Sequence, residues 1–69
     1  MKERAQFART RKEEIESGEE EFGREYVILG VRCRDVYWII REEDSPLIKE
    51  RILIGIQTFD EVDGMWHYV

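Results

Sequence analysis

A chain of 69 residues with a formal net charge of −5 and a single cysteine, Cys33, is at most one small domain without an intrachain disulfide. Its longest apolar runs, Tyr26 to Leu29 and Val36 to Ile40, fall far short of a membrane span, and its acidity disfavours a general affinity for phosphate backbones. A domain of this size buries only about 60% of the surface its unfolded chain exposes, so a second copy or a partner protein is the expected supplement to its core.

Charge opens the chain in two opposed blocks, net +4 over residues 1–12 and −6 over residues 13–21. The first residues carry bases with no apolar run behind them, so they do not read as a secretory signal, and a cytoplasmic location is expected. From Lys2 to about Ser17 the Ala, Arg, Lys, Glu and Gln content favours one long helix, with Gly18 placed for a left-handed C-cap. On such a helix the bases lead and the acids trail, against the macrodipole. The segment is therefore expected to stay largely solvated and to pair base to acid with something outside it, such as a second copy laid antiparallel. Residues 1–22 read as a charged helix or arm and residues 23–69 as a small β body.

In the body, Arg24 to Cys33 and Asp35 to Arg41 are rich in Val, Ile, Tyr and Trp and read as two strands, with a polar break at Arg34-Asp35. Glu42 to Pro46 is a loop, and Ser45-Pro46 is also suited to open a short helix through Lys49. Arg51 to Phe59 is the third strand. Asp63-Gly64 is the best turn signal and leads into a fourth strand, Met65 to Val69. The fold class expected is α+β: an N-terminal helix followed by a four-stranded antiparallel sheet of two hairpins.

Strand residues alternate sides, and here both sides are apolar. Val27, Leu29 and Val31 lie opposite Tyr26 and Ile28; Ile52, Ile54 and Ile56 lie opposite Leu53 and Phe59. One thin helix covers one face at most, so the other is expected to meet another copy or another protein. Closure of the sheet into a small barrel is the alternative.

Chemistry is sparse. Cys33 and His67 are the only thiol and imidazole, and nothing in their spacing joins them; no catalytic residue and no enzyme activity are expected. Asp60, Glu61, Asp63 and His67 surround the Asp63-Gly64 turn, but Phe59 stands where a calcium loop needs its first oxygen ligand. A plain hairpin turn is the better reading, and no metal or cofactor is expected.

What remains is a non-enzymatic protein-interaction module, a regulator or inhibitor that works as a homodimer or against a protein partner. Its acidic clusters, Glu19, Glu20 and Glu21 with Glu42, Glu43 and Asp44, are the expected contacts, and Tyr37, Trp38 and Trp66 the apolar anchors. Some phage-encoded inhibitors of nucleic-acid enzymes share this size and charge, a likeness of composition and not of sequence. The alternative is a nucleic-acid-binding module using Arg24, Arg32, Arg34 and Arg41 with Tyr26. Against it, residues 22–69 carry nine acids to six bases.

Overall fold

The computed structural model describes residues 9–69. Helix α1 (Arg11–Glu16) is followed by strands β1 (Glu19–Phe22), β2 (Tyr26–Ile28), β3 (Val31–Arg41), β4 (Ile48–Asp60) and β5 (Met65–Tyr68). More than half of the described residues are in strands, so the molecule is a curled antiparallel sheet with one short helix, and the α+β expectation is corrected.

The long N-terminal helix is not supported, and a capping box sets where α1 begins. Thr10 Oγ1 accepts from the Glu13 amide at 3.1 Å, and Glu13 Oε1 accepts from the Thr10 amide at 2.8 Å. This Thr-x-x-Glu device fixes the first turn at Arg11. The stretch Lys2 to Ala8 of the expected helix lies outside the described residues. Starting at Arg11 also reverses the charge argument, because Glu13 and Glu14 now sit in the first turn, where the macrodipole favours acids. Six residues do not hold a helix by themselves. The Trp38 indole donates to the Ile15 carbonyl at 2.8 Å, and Arg11 pairs with Glu50 while Lys49 pairs with Glu14.

The strand order is β1-β3-β4-β5, with β2 pairing β3 on the same side as β1. Strands β1 and β2 are two lengths of one edge, pairing Phe22 with Val36 and Tyr26 with Cys33. The break between them is closed by the Gly23 amide, which donates to the Asp35 carbonyl at 2.9 Å. Glu19, Glu20 and Glu21, assigned to the arm from sequence, are thus sheet residues.

The first hairpin turns at Leu29-Gly30, not at Arg34-Asp35. Leu29 (φ 51°) and Gly30 (φ 80°) supply the two positive φ values of a type I′ turn. Arg34 and Asp35 continue the β3 ladder opposite Gln57 and Ile56, and the Asp35 carboxylate accepts from the hydroxyls of Tyr26 at 2.7 Å and Tyr37 at 3.3 Å. No helix follows Pro46; β4 begins at Ile48. The Asp63-Gly64 turn forms as read from sequence, with Gly64 at φ 70°.

Two register shifts leave Ile54 and Lys49 as extra residues in β4. Because a bulge changes the parity of everything beyond it, Ile52 and Ile56 lie on opposite faces, Ile52 level with Trp38 and Ile56 level with Asp35. This corrects the shared face expected for Ile52, Ile54 and Ile56.

One face of the sheet is concave. Tyr68 on β5 donates its hydroxyl to Glu20 on β1 at 3.0 Å, a contact between the two edges that requires the sheet to curl toward that side. Arg32, Arg34, Val36, Trp38 and Ile40 of β3 point into the concavity; Cys33, Asp35, Tyr37, Ile39 and Arg41 point to the convex side. The core is small: among the described residues Cys33, Val36, Ile39 and Ile40 are the buried hydrophobics. Ile39 is level with Glu19 and Arg51, and the ion pairs Arg41–Glu19 and Arg51–Glu21, both 3.0 Å, flank it on the same face. Among the described residues no helix is long and apolar enough to cross a membrane.

Candidate functional site

The concave side gathers one side chain each from β1, β4 and β5 around Arg34 of β3. Its guanidinium carbon lies 3.6 Å from the ring centre of Phe22 on β1 and 4.1 Å from that of Trp66 on β5. Its Nε donates to Gln57 Oε1 on β4 at 2.8 Å, and Gln57 is itself buried. Arg32, one step along the same face, stands 4.5 Å from the ring centre of Phe59 and 5.5 Å from that of Trp66, while Phe59 and Trp66 meet edge to face at 5.3 Å. Gly55 permits the close packing, because a Cβ there would touch the Tyr68 ring at 3.0 Å. Bonding to Glu20 raises the Tyr68 phenol above its ordinary pKa.

The convex side is different in kind. Below the ion pairs beside Ile39, Leu53, Ile56, Ile28 and Val31 are all exposed. They form an aliphatic strip running toward the Leu29-Gly30 turn. At the tip Leu29 is 98% exposed; Val62, in the neighbouring β4–β5 turn, is 97% exposed. A leucine at positive φ costs about 1–2 kcal/mol relative to a residue that tolerates the left-handed region, and the hairpin turn it occupies ordinarily takes Asn or Gly.

The expected site residues do not fall on one surface. Glu19, Glu20 and Glu21 each have a partner inside the molecule: Arg41, the Tyr68 hydroxyl and Arg51. Glu42, Glu43 and Asp44 lie exposed in the β3–β4 loop, where Glu43 is 4.0 Å from Arg9. Of the three aromatic anchors, Tyr37 is convex, whereas Trp38 holds α1 and Trp66 lines the concavity. Among the arginines, Arg32 pairs with Glu25 at 2.9 Å and Arg41 with Glu19, Arg24 is exposed, and Arg34 is stacked as described. Tyr26 is tied to Asp35, which pushes its phenol up to about 12.

Sequence reasoning missed Phe22 and Gln57, which only a strand at residues 19–22 and the bulge at Ile54 bring beside Arg34. Leu29 is visible in the sequence as an apolar residue before glycine, but its neighbours favour a strand interior over the turn that it occupies.

Asp60, Asp63 and His67 can present ligand atoms within 4.8 Å of one another, yet each has work in the turn. Asp60 accepts from the Val62 amide at 2.8 Å, Asp63 from the Met65 amide at 2.9 Å, and His67 Nε2 is 2.7 Å from Asp63 Oδ2. The His67 contact holds the Asp63 carboxyl below its ordinary pKa. Cys33 and His67 share the convex face with Thr58 between them in register. The Cys33 thiol lies 3.4 Å from the Val31 carbonyl.

Comparison with known protein families, curated sequences and solved structures finds no match, so the reading of these surfaces rests on their own geometry.

Proposed function

We propose that this chain is a non-enzymatic protein-interaction module that docks through the convex strip and its Leu29 tip, with a second copy of itself as the occupant. The observation that carries the reading is the strip: Leu53, Ile56, Ile28, Val31 and Leu29 lie exposed on a sheet in which four hydrophobics are buried among the described residues. Contiguous apolar surface of this kind marks an interaction face. A second copy fits because most of the charge around the strip is paired in place, Glu19 by Arg41 and Glu21 by Arg51, with Asp35 held by two tyrosine hydroxyls. That pairing reduces like-charge repulsion between two such faces, although each chain carries −5 overall. A regulator built this way has the exposed Glu42, Glu43 and Asp44 left to meet a basic protein partner.

The nucleic-acid reading has less support. Arg32 and Arg41 are neutralised by Glu25 and Glu19, and the Phe22 and Trp66 rings on which bases would stack already have guanidinium neighbours.

Sedimentation equilibrium at micromolar concentration tests the proposal. A dimer is expected, and Leu53→Glu should weaken it at least tenfold, about 1.4 kcal/mol of association free energy. Leu29→Asn discriminates further, because it relieves about 1 kcal/mol of backbone strain while removing the apolar tip. The expected outcome is a higher melting temperature together with weaker association. A clean monomer for the unmodified chain refutes the reading.

A further inference from the structure

The chain holds 16 acidic residues against 11 basic ones, so a cation without a counter-ion is the unexpected case. Among the described residues Arg9, Arg11, Arg32, Arg41 and Arg51 each have a carboxylate oxygen within 4.0 Å. Arg34 has none, although it is only half exposed and projects from the central strand of the concave face. Arg24 also lacks one, but it is an exposed residue in the break between β1 and β2.

Every other contact of Arg34 fixes its orientation. Phe22 and Trp66 bear on the guanidinium from the two edge strands, and the buried Gln57 takes its Nε proton. The terminal Nη groups have no acceptor among the described side chains. Two acids of the concave side are engaged elsewhere, Glu25 by Arg32 and Glu20 by the Tyr68 hydroxyl. Arg32 stands over the same Trp66 ring but is paired with Glu25, which leaves Arg34 as the guanidinium there without a carboxylate among the described residues.

We propose that the Nη edge of Arg34 is a binding site for an oxyanion with two coplanar oxygens, a carboxylate or a phosphate. A guanidinium presents paired N–H donors in a fixed fork that matches such an edge with two parallel hydrogen bonds. Here the fork is already oriented by its stacking and by Gln57, so little side-chain freedom is lost on binding. The aromatic walls lower the local dielectric and strengthen the contact. The molecule's net negative charge favours a monoanion over a dianion. The site does not depend on the self-association proposed above, since it lies on the opposite face.

The test is titration of the ¹⁵N-labelled full chain with acetate and, separately, with inorganic phosphate, both at constant ionic strength made up with chloride. The readouts are the Arg34 Nε–Hε and Trp66 indole N–H signals. Saturable shifts of both are expected, and whichever anion saturates at lower concentration identifies the source. Arg34→Lys keeps the charge and the aliphatic stem but loses the fork, so about a tenfold weakening at the Trp66 signal is expected where bidentate geometry matters. Arg34→Gln should abolish saturation while the amide spectrum stays dispersed. Shifts that grow linearly with anion, or that persist unchanged in Arg34→Lys, overturn the proposal and leave Arg34 as a packing residue.

Discussion

The two faces of this sheet solve the problem of a thin domain in opposite ways. The concave face folds inward on long, mixed side chains: Arg34 against Phe22 and Trp66, Tyr68 reaching Glu20, Trp38 under α1. Each apolar ring there has a polar group that belongs to it. The convex face flanks Ile39 with two ion pairs and leaves Leu53, Ile56, Ile28 and Val31 uncovered. Curling toward one side lets a single sheet bury one of its faces without a second layer, and it necessarily stretches the other open. The concavity is therefore where the chain can recognise something small, and the convex strip where it can be recognised by something flat.

The largest expected effect breaks the concave side from beneath. Ile40 is fully buried on that face, level with Glu50, and it is one of four buried hydrophobics among the described residues. Ile40→Ala should cost about 2–5 kcal/mol, a large fraction of the stability a domain this small possesses. Urea denaturation measures it. Leu53→Ala on the convex strip is the matched control and should cost far less in the monomer, because Leu53 is already 56% exposed. Similar losses at the two positions would mean that the convex strip is covered after all.

Much of this contrast was legible in the sequence, and what was not has identifiable causes. The β-branched and aromatic run Val36 to Ile40 and the Asp63-Gly64 signal located strands and a turn, and the two-sided apolar pattern announced a face in need of cover. The helix was overextended because residue propensity outweighed a local device: the Thr10–Glu13 capping box restarts the chain at Arg11, and summed propensity does not register such a stop. The acidic run Glu19 to Glu21 looked unlike a strand because isolated acids disfavour one; in place, each finds a partner on a different strand, Arg41 on β3, Tyr68 on β5 and Arg51 on β4, a long-range match invisible to local reading. The face assignment in β4 failed at one residue, Ile54, since a bulge carries no composition signal here. Leu29-Gly30 escaped notice because leucine is a poor choice for a type I′ turn, and that mismatch is now part of the functional argument.

The next effect concerns the seam between α1 and the concave face. A Cβ at Gly18 would land inside the Trp38 indole, the group that donates to the Ile15 carbonyl. Gly18→Ala should push the ring aside, release α1 and cost about 1–3 kcal/mol, as forced overpacking does. Loss of amide protection in residues 11–16, with β3 and β4 unchanged, is the expected pattern. The same seam carries an acid dependence. Hydrogen bonding to Lys49, reinforced by Arg11, holds the Glu14 carboxyl below its ordinary pKa, and Arg11 does the same for Glu50. Lowered folded pKa values mean stabilisation that is present above the ordinary glutamate range and lost as pH falls through the depressed values. Glu14→Gln should flatten the acid limb of a stability-against-pH curve.

The smallest effect separates the faces by alkaline titration. Tyr26 reports the convex side, where its hydroxyl donates to Asp35, and Tyr68 the concave side, where it donates to Glu20. Ionising either phenol places a second negative charge against a carboxylate, so both phenols are raised, Tyr26 up to about 12. The sign follows: a raised folded pKa contributes stability that is complete below the ordinary tyrosine value and is lost as pH rises through the folded one. In an absorbance titration Asp35→Asn should return one tyrosine toward its ordinary value and leave Tyr68 raised; Glu20→Gln should do the reverse. If either substitution moved both phenols together, the two faces would be coupled through β3, and the separation of a small-anion site from a docking strip would not hold.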